Sequence, residues 1–121
     1  MADGYRDLAV WQKSMSLVTQ IYLITKSFPK DELYSLTNQM RRAATSIPCN
    51  IAESKAKRAS KEFARFLLIA RGSVAELETQ LLISQNLSYV SEKQIQSLLN
   101  DASEVGRMLS GLISKLDAAK S

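Results

Sequence analysis

The chain has 121 residues, 45% hydrophobic and 23% charged, with a formal net charge of +4 and a pI near 9.3. This length suits one domain, 1–121, able to bury roughly two-thirds of its unfolded surface without a disulfide or metal staple. With no histidine and one cysteine, Cys49, the composition excludes an internal disulfide, most zinc sites and every Ser-His-Asp or Cys-His arrangement.

The opening residues, MADGYRDLAVW, lack the basic lead and apolar core of a signal peptide. A lone thiol then suits a reducing cytoplasm. The periodicity is helical throughout, with no alternating run long enough for a strand. The first helix is predicted over about 8–28, with Asp7 as its cap. It carries two apolar stripes: Leu8, Trp11, Met15, Val18, Tyr22 and Thr25, then Val10, Leu17, Ile21, Ile24 and Phe28. At about 100° per residue the stripes lie ~110° apart, more apolar surface than one bundle core needs. That predicts a second subunit against this helix.

Pro29 ends the first helix and suits the first turn of a second, over about 30–55. Its apolar stripe is Leu33, Leu36, Met40, Ala43 or Ala44, Ile47 and Ile51. Pro48 lies inside it, removing a backbone donor and crowding the carbonyl of Ala44, which predicts a kink. The polar link 54–60 (SKAKRAS) is a turn, and Ser60 is placed to cap a third helix over about 60–89. Phe63, Leu67, Ala70, Val74, Leu77 and Leu81 form its seam. Gly72, mid-helix at a cost of about 1 kcal/mol relative to alanine, predicts close approach of a neighbouring backbone. Ser91 and Gln94 form a capping box, with Val90 and Ile95 as the hydrophobic staple, and start a fourth helix over about 92–117. Its seam runs Ile95, Leu98, Ala102, Val105, Leu109, Leu112 and Leu116, followed by a frayed tail from 117. The fold expected is all-α: an antiparallel up-down four-helix bundle with a Pro-kinked second helix. The longest apolar run, 66–70, is five residues, far below the ~20 that cross a bilayer, so no membrane partner is expected.

Charge gathers in one third of the chain. From 41 to 71 there are eight basic residues and two acids, a segment of +6 in a chain of +4. Arg41, Lys55, Lys57, Arg58, Lys61, Arg65 and Arg71 are the candidate nucleic-acid contacts, through phosphates rather than bases because the aromatics fall mostly on apolar faces. Such a run can equally be a solvated helix face. Gln39, Arg42, Ser46, Asn50 and Glu53 form a polar stripe beside the apolar one, either a site or, the reading preferred, a hydrogen-bonded seam that fixes helix or subunit register. Cys49 reads as a small buried hydrophobe. No catalytic or metal-ligating set is spaced for chemistry; Glu76 and Glu78, two apart on a helix, diverge. No cofactor is implied.

Three runs are similar to one family: YRDLAVWQKSM at 5–15, FPKDELYSLTNQMRRAATSIPCNIAES at 28–54 and EFARFLLIARGSVAELETQL at 62–81. They resemble the small four-helix-bundle proteins encoded in intervening sequences of bacterial 23S ribosomal RNA genes, to which the accessory protein of diversity-generating retroelements is similar. The pattern Q-x-x-R-A-x-x-S-I-x-x-N-I-A-E is met by Gln39, Arg42, Ala43, Ser46, Ile47, Asn50, Ile51, Ala52 and Glu53. Arg58 follows, and G-S-x-x-E-x-x-x-Q-L is met by Gly72, Ser73, Glu76, Gln80 and Leu81. Where the family has glycines after this first run, the chain has Ser54, Lys55, Ala56 and Lys57, so a different exit from the second helix is expected. The resemblance implies a homopentamer with a basic surface for nucleic acid, RNA in preference to DNA, and in the retroelement relatives contact with a reverse transcriptase. The expected function is a non-enzymatic, oligomeric nucleic-acid-binding protein. The alternative is a homo-oligomeric scaffold for a protein partner, with incidental charge.

Overall fold

The structure is a computed structural model that describes residues 4–57 and 59–120. A short 3₁₀ turn, Gly4–Asp7, leads into α1, Ala9–Thr25; a second, Lys30–Glu32, precedes α2, Leu36–Lys55; then come α3, Ser60–Asn86, and α4, Glu92–Lys120. All the regular structure among the described residues is helical. Each helix packs on two others, in the ring α1–α2–α3–α4 and back to α1.

The core fills the middle of that ring. Leu17 and Ile21 meet Met40, Ile47 and Ile51 from α2, Leu67, Leu77 and Leu81 from α3, and Ile95, Val105 and Leu109 from α4, all buried. Each such side chain stabilises by roughly 1.5–3 kcal/mol relative to exposure. Three of the buried serines are satisfied within their own helices: Ser14 Oγ donates to the Trp11 carbonyl at 2.8 Å, Ser54 Oγ to the Ile51 carbonyl at 2.6 Å and Ser84 Oγ to the Gln80 carbonyl at 2.9 Å.

Of the two stripes on α1, the second faces the core, with Val10, Leu17 and Ile21 buried. The first stays at the surface up to its last member: Leu8, Trp11 and Val18 are half-buried, Met15 and Tyr22 are exposed, and Thr25 alone is buried. The helix stops at Thr25, three residues before the expected end, because Pro29 disfavours a helical Phe28. Phe28 remains a core residue from outside the helix, its ring 5.2 Å from that of Tyr89.

Several expected boundaries shift. Asp7 closes the 3₁₀ turn instead of capping α1, and Leu8 holds the cap position with no side-chain bond. The α2 helix begins at Leu36, since 30–35 is spent on the second 3₁₀ turn and a further turn through Ser35; Leu33, expected in the core, is exposed there. Ser60 is the first helical residue of α3 and Ala59 its cap, so the serine makes no capping bond. At the exit from α2, Ala56 stays right-handed (φ −78, ψ −12), so the missing glycines give an exit with no left-handed residue at the cap. The α4 helix runs through the expected tail to Lys120. Its seam drifts, as a 3.6-residue helix must against a 3.5 repeat: Ile113 is buried, while Leu112 and Leu116 are half-buried.

The capping box is present at α4. The Gln94 amide N–H donates to Ser91 Oγ at 3.2 Å and the Ser91 N–H to Gln94 Oε1 at 3.3 Å, with Val90 and Ile95 buried. Just before it, α3 ends in a Schellman motif: Tyr89 N–H bonds the Ser84 carbonyl and Ser88 N–H the Gln85 carbonyl. Ser88 takes the left-handed position, φ +62, that glycine usually fills.

Gly72 has nothing within 4 Å of where a Cβ would sit, so no backbone approaches it. The tight glycine is Gly106, whose Cβ would lie 3.4 Å from Val74 Cγ1. Cys49 is exposed, not buried: Pro48 beside it takes the inward position, and one residue is a rotation of about 100°.

Candidate nucleic-acid interface

The seven basic candidates fall into separate places. Lys55 ends α2, Lys57 lies in the link, and Lys61 and Arg65 occupy the first two turns of α3. The Ala56 and Lys57 amides bond back to the Glu53 and Ser54 carbonyls at 3.1 and 3.2 Å, closing a compact elbow that brings these four cations to one end of the α2–α3 pair. Arg58 lies outside the described residues.

Two phenylalanines shape the elbow. Lys57 Nζ sits 5.2 Å from the Phe66 ring centre and the Arg65 guanidinium carbon 4.6 Å from the same centre, while Lys55 Nζ lies 5.6 Å from Phe63. Stacking on aromatic faces holds cations without quenching their charge. Glu53 pairs with Lys57 at 3.5 Å and Glu62 with Arg65 at 3.1 Å, so two of the four charges are partly neutralised. Such exposed pairs are screened and weak, at about 0–1 kcal/mol, and a phosphate can compete with them. Lys61 is exposed and has no side-chain partner among the described residues.

Arg41 and Arg71 stand apart. Arg41 Nε donates to Thr25 Oγ1 at 2.9 Å and its guanidinium carbon lies 4.7 Å from the Tyr22 ring centre, fastening α2 to α1. Fourteen residues along α2 place it about 21 Å from Lys55. Arg71 Nη1 reaches Ser110 Oγ on α4 at 3.3 Å, in a shallow groove that also holds Arg107.

The polar stripe divides as well. Ser46 Oγ and Ser73 Oγ share a hydrogen bond at 2.8 Å between α2 and α3, and Asn50 Nδ2 donates to Ser46 Oγ at 2.9 Å and to the Ser46 carbonyl at 2.8 Å. These two residues form an interhelical seam. Gln39, Arg42 and Glu53 are exposed. Gln39, Arg42 and Ser46 line a cavity of about 660 Å³ between α2 and α3, together with Tyr34, Asn38, Ala43, Ser73 and Glu76. Sequence reasoning missed Tyr34, which is 91% exposed. Its signal was phase: counted as helix, it falls outside the register of Leu36 and Met40. One turn beyond Glu76, Gln80 is buried and its Oε1 has no donor among the described residues.

Two further polar contacts are structural. The Tyr89 hydroxyl donates to Glu32 Oε2 at 2.7 Å, holding the carboxyl below the ordinary carboxylate range and raising the phenol above its own. Lys13 bridges α1 to α4 through Glu104 at 2.9 Å and Asp101 at 3.8 Å, and the Glu104 contact raises its pKa. No three His, Cys, Asp or Glu side chains are placed to hold a metal ion, and no helix is long and apolar enough to cross a membrane, among the described residues.

A model of the 23S rRNA-intervening sequence protein family matches residues 6–111. The chain is similar to a crystal structure of a protein of unknown function from the S23 ribosomal protein family of Bacteroides thetaiotaomicron VPI-5482. The TM-score is 0.80 at 26% identity, covering 87% of this chain and 95% of that one. No curated protein matches it by sequence. With a family match across most of its length and a ring of four helices shared with a relative, the chain belongs to the 23S rRNA-intervening sequence protein family.

Proposed function

We propose that the protein is a non-enzymatic, oligomeric nucleic-acid-binding protein that grips RNA, in preference to DNA, by its phosphates at the α2–α3 elbow. The observation that carries this reading is the convergence of Lys55, Lys57, Lys61 and Arg65 at one end of the helix pair, two of them stacked over Phe66. A compact cationic patch with no groove-reading element suits backbone contact without sequence preference. The family's name, which ties it to 23S rRNA, agrees in naming an RNA gene. The bacterial cytoplasm is the compartment, in keeping with the unpaired Cys49.

In this reading the four helices run up and down in antiparallel order. Supporting it, Met40 meets Ser84 while Ser46 meets Ser73, and Val74 neighbours Gly106 while Arg71 reaches Ser110. Assembly into a pentamer would multiply a net +4 per chain into a strong field.

The test is fluorescence anisotropy with structured RNA and duplex DNA across a salt series. Affinity is expected to fall by roughly one log unit per log unit of salt for each phosphate contacted. Replacing Lys55, Lys57, Lys61 and Arg65 together by glutamate is expected to abolish binding without changing the mass of the assembly. Equal binding by that variant, or none by the native protein at low salt, removes the reading. A second reading, a scaffold for a protein partner such as a reverse transcriptase, then stands on the exposed Leu68, Ile69, Leu82 and Ile83 of α3.

A further inference from the structure

The groove between α2 and α3 is built from opposite charges that do not meet. Arg42 and Glu76 both line it, yet neither side chain has a hydrogen bond or ion pair among the described residues, and the same is true of Tyr34 and Gln39. At its base lie buried Ala43 and the Ser46–Ser73 hydrogen bond. Arg42 and Ser46 come from one of the runs that carry the family resemblance, Ser73 and Glu76 from another.

A guanidinium, a carboxylate, an amide and an exposed phenol ring around one cavity match a flat ligand that carries both donors and acceptors along its edge. A hydrocarbon leaves all of them unsatisfied. A bare phosphate uses Arg42 and is repelled by Glu76. We propose that this groove holds one unpaired nucleobase of a single-stranded RNA, and that its donor and acceptor pattern selects guanine. The inference rests on the nucleic-acid reading above and adds recognition of a base to it.

The choice of base follows from edge chemistry. Guanine sets O6 and N7 side by side as acceptors for a guanidinium, and N1–H beside the N2 amino group as adjacent donors for a carboxylate. Adenine, cytosine and uracil offer a carboxylate no such pair. Tyr34, at the mouth and 91% exposed, supplies the face on which an unpaired base stacks. Nine residues of α2 separate Ser46 from Lys55, about 14 Å of helix, so one strand can thread from groove to elbow.

The experiment has two arms. In the first, guanosine monophosphate and uridine monophosphate are titrated into the native protein, and amide chemical shifts are followed at Gln39, Arg42, Ser73 and Glu76. Guanosine monophosphate is expected to move them, uridine monophosphate to leave them, and Glu76→Gln to erase the difference. In the second arm, uridine oligomers with and without one central guanine are compared by anisotropy. The guanine is expected to tighten binding roughly tenfold, and Tyr34→Ala to remove that gain. The elbow reversal is expected to abolish binding of both oligomers while leaving the nucleotide shifts intact. Equal RNA affinities and no nucleotide shifts overturn the base pocket while the phosphate reading survives. Nucleotide shifts without RNA binding overturn the phosphate reading alone. A change of assembly mass in Glu76→Gln, with no nucleotide shifts, assigns the groove to a neighbouring copy and overturns the pocket.

Discussion

Tyr89 and Glu32 join two links that are 57 residues apart in the chain, and the bond has a definite pH window. Glu32 has its folded pKa lowered, so its contribution to stability is present above the ordinary carboxylate range and is lost as pH falls through the folded value. Tyr89 has its folded pKa raised, so its part is present below the ordinary phenol range and is lost as pH rises through the folded value. Tyr89→Phe is therefore expected to melt below the native protein at neutral pH, with the gap closing in acid. Thermal melts by circular dichroism at several pH values check this, and a gap independent of pH would contradict it. Chemistry confined to four residues, such as the Ser91–Gln94 box, was legible from sequence. The caps at Asp7 and Ser60 were not, because a one-residue shift of the helix start removes them. Ser88 was invisible: a serine in a left-handed position carries no mark that distinguishes it from a serine in any turn.

At the scale of the helix, the seams read well because burial imposes a period that many residues share. Leu67, Ala70, Val74, Leu77 and Leu81 are all buried as the spacing of α3 requires. Glycines read poorly, since a missing side chain says nothing of what lies opposite. Gly72→Ala is expected to raise stability by about 1 kcal/mol, the propensity difference in an open helical site. Gly106→Ala is expected to gain less, because its new methyl presses on Val74 at 3.4 Å. Denaturant midpoints of the two variants decide the order, and a larger gain at Gly106 would contradict it. Pro48, buried inside α2, still predicts a bend. A crystal structure is expected to show more than about 20° between the axes before Ala44 and after Ala52, relaxed in Pro48→Ala.

For the whole molecule, the number of helices and the core were legible, and the grouping of the charges was not. One run of basic residues in sequence became an elbow, an α1–α2 clamp at Arg41 and an α4-facing Arg71, because successive positions on a helix point to different neighbours. The exposed Met15, Tyr22 and Leu23 of α1 motivate an assembly of several copies, five by resemblance. Light scattering at micromolar concentration is expected to return a multiple of the 13.5 kDa chain mass; a monomer would remove the argument, and a dimer would remove the number. The tie between Glu32 and Tyr89 has a consequence for how the bundle breathes. It secures the α1–α2 link to the α3–α4 link, while the elbow joins α2 to α3 at the far end of both helices. Amide hydrogen exchange should then be graded, slow beside Tyr89 and fast around Ala56 and Ala59. A polyanion bound at the elbow would slow exchange where it is fastest, so binding there would stiffen the looser end of the bundle.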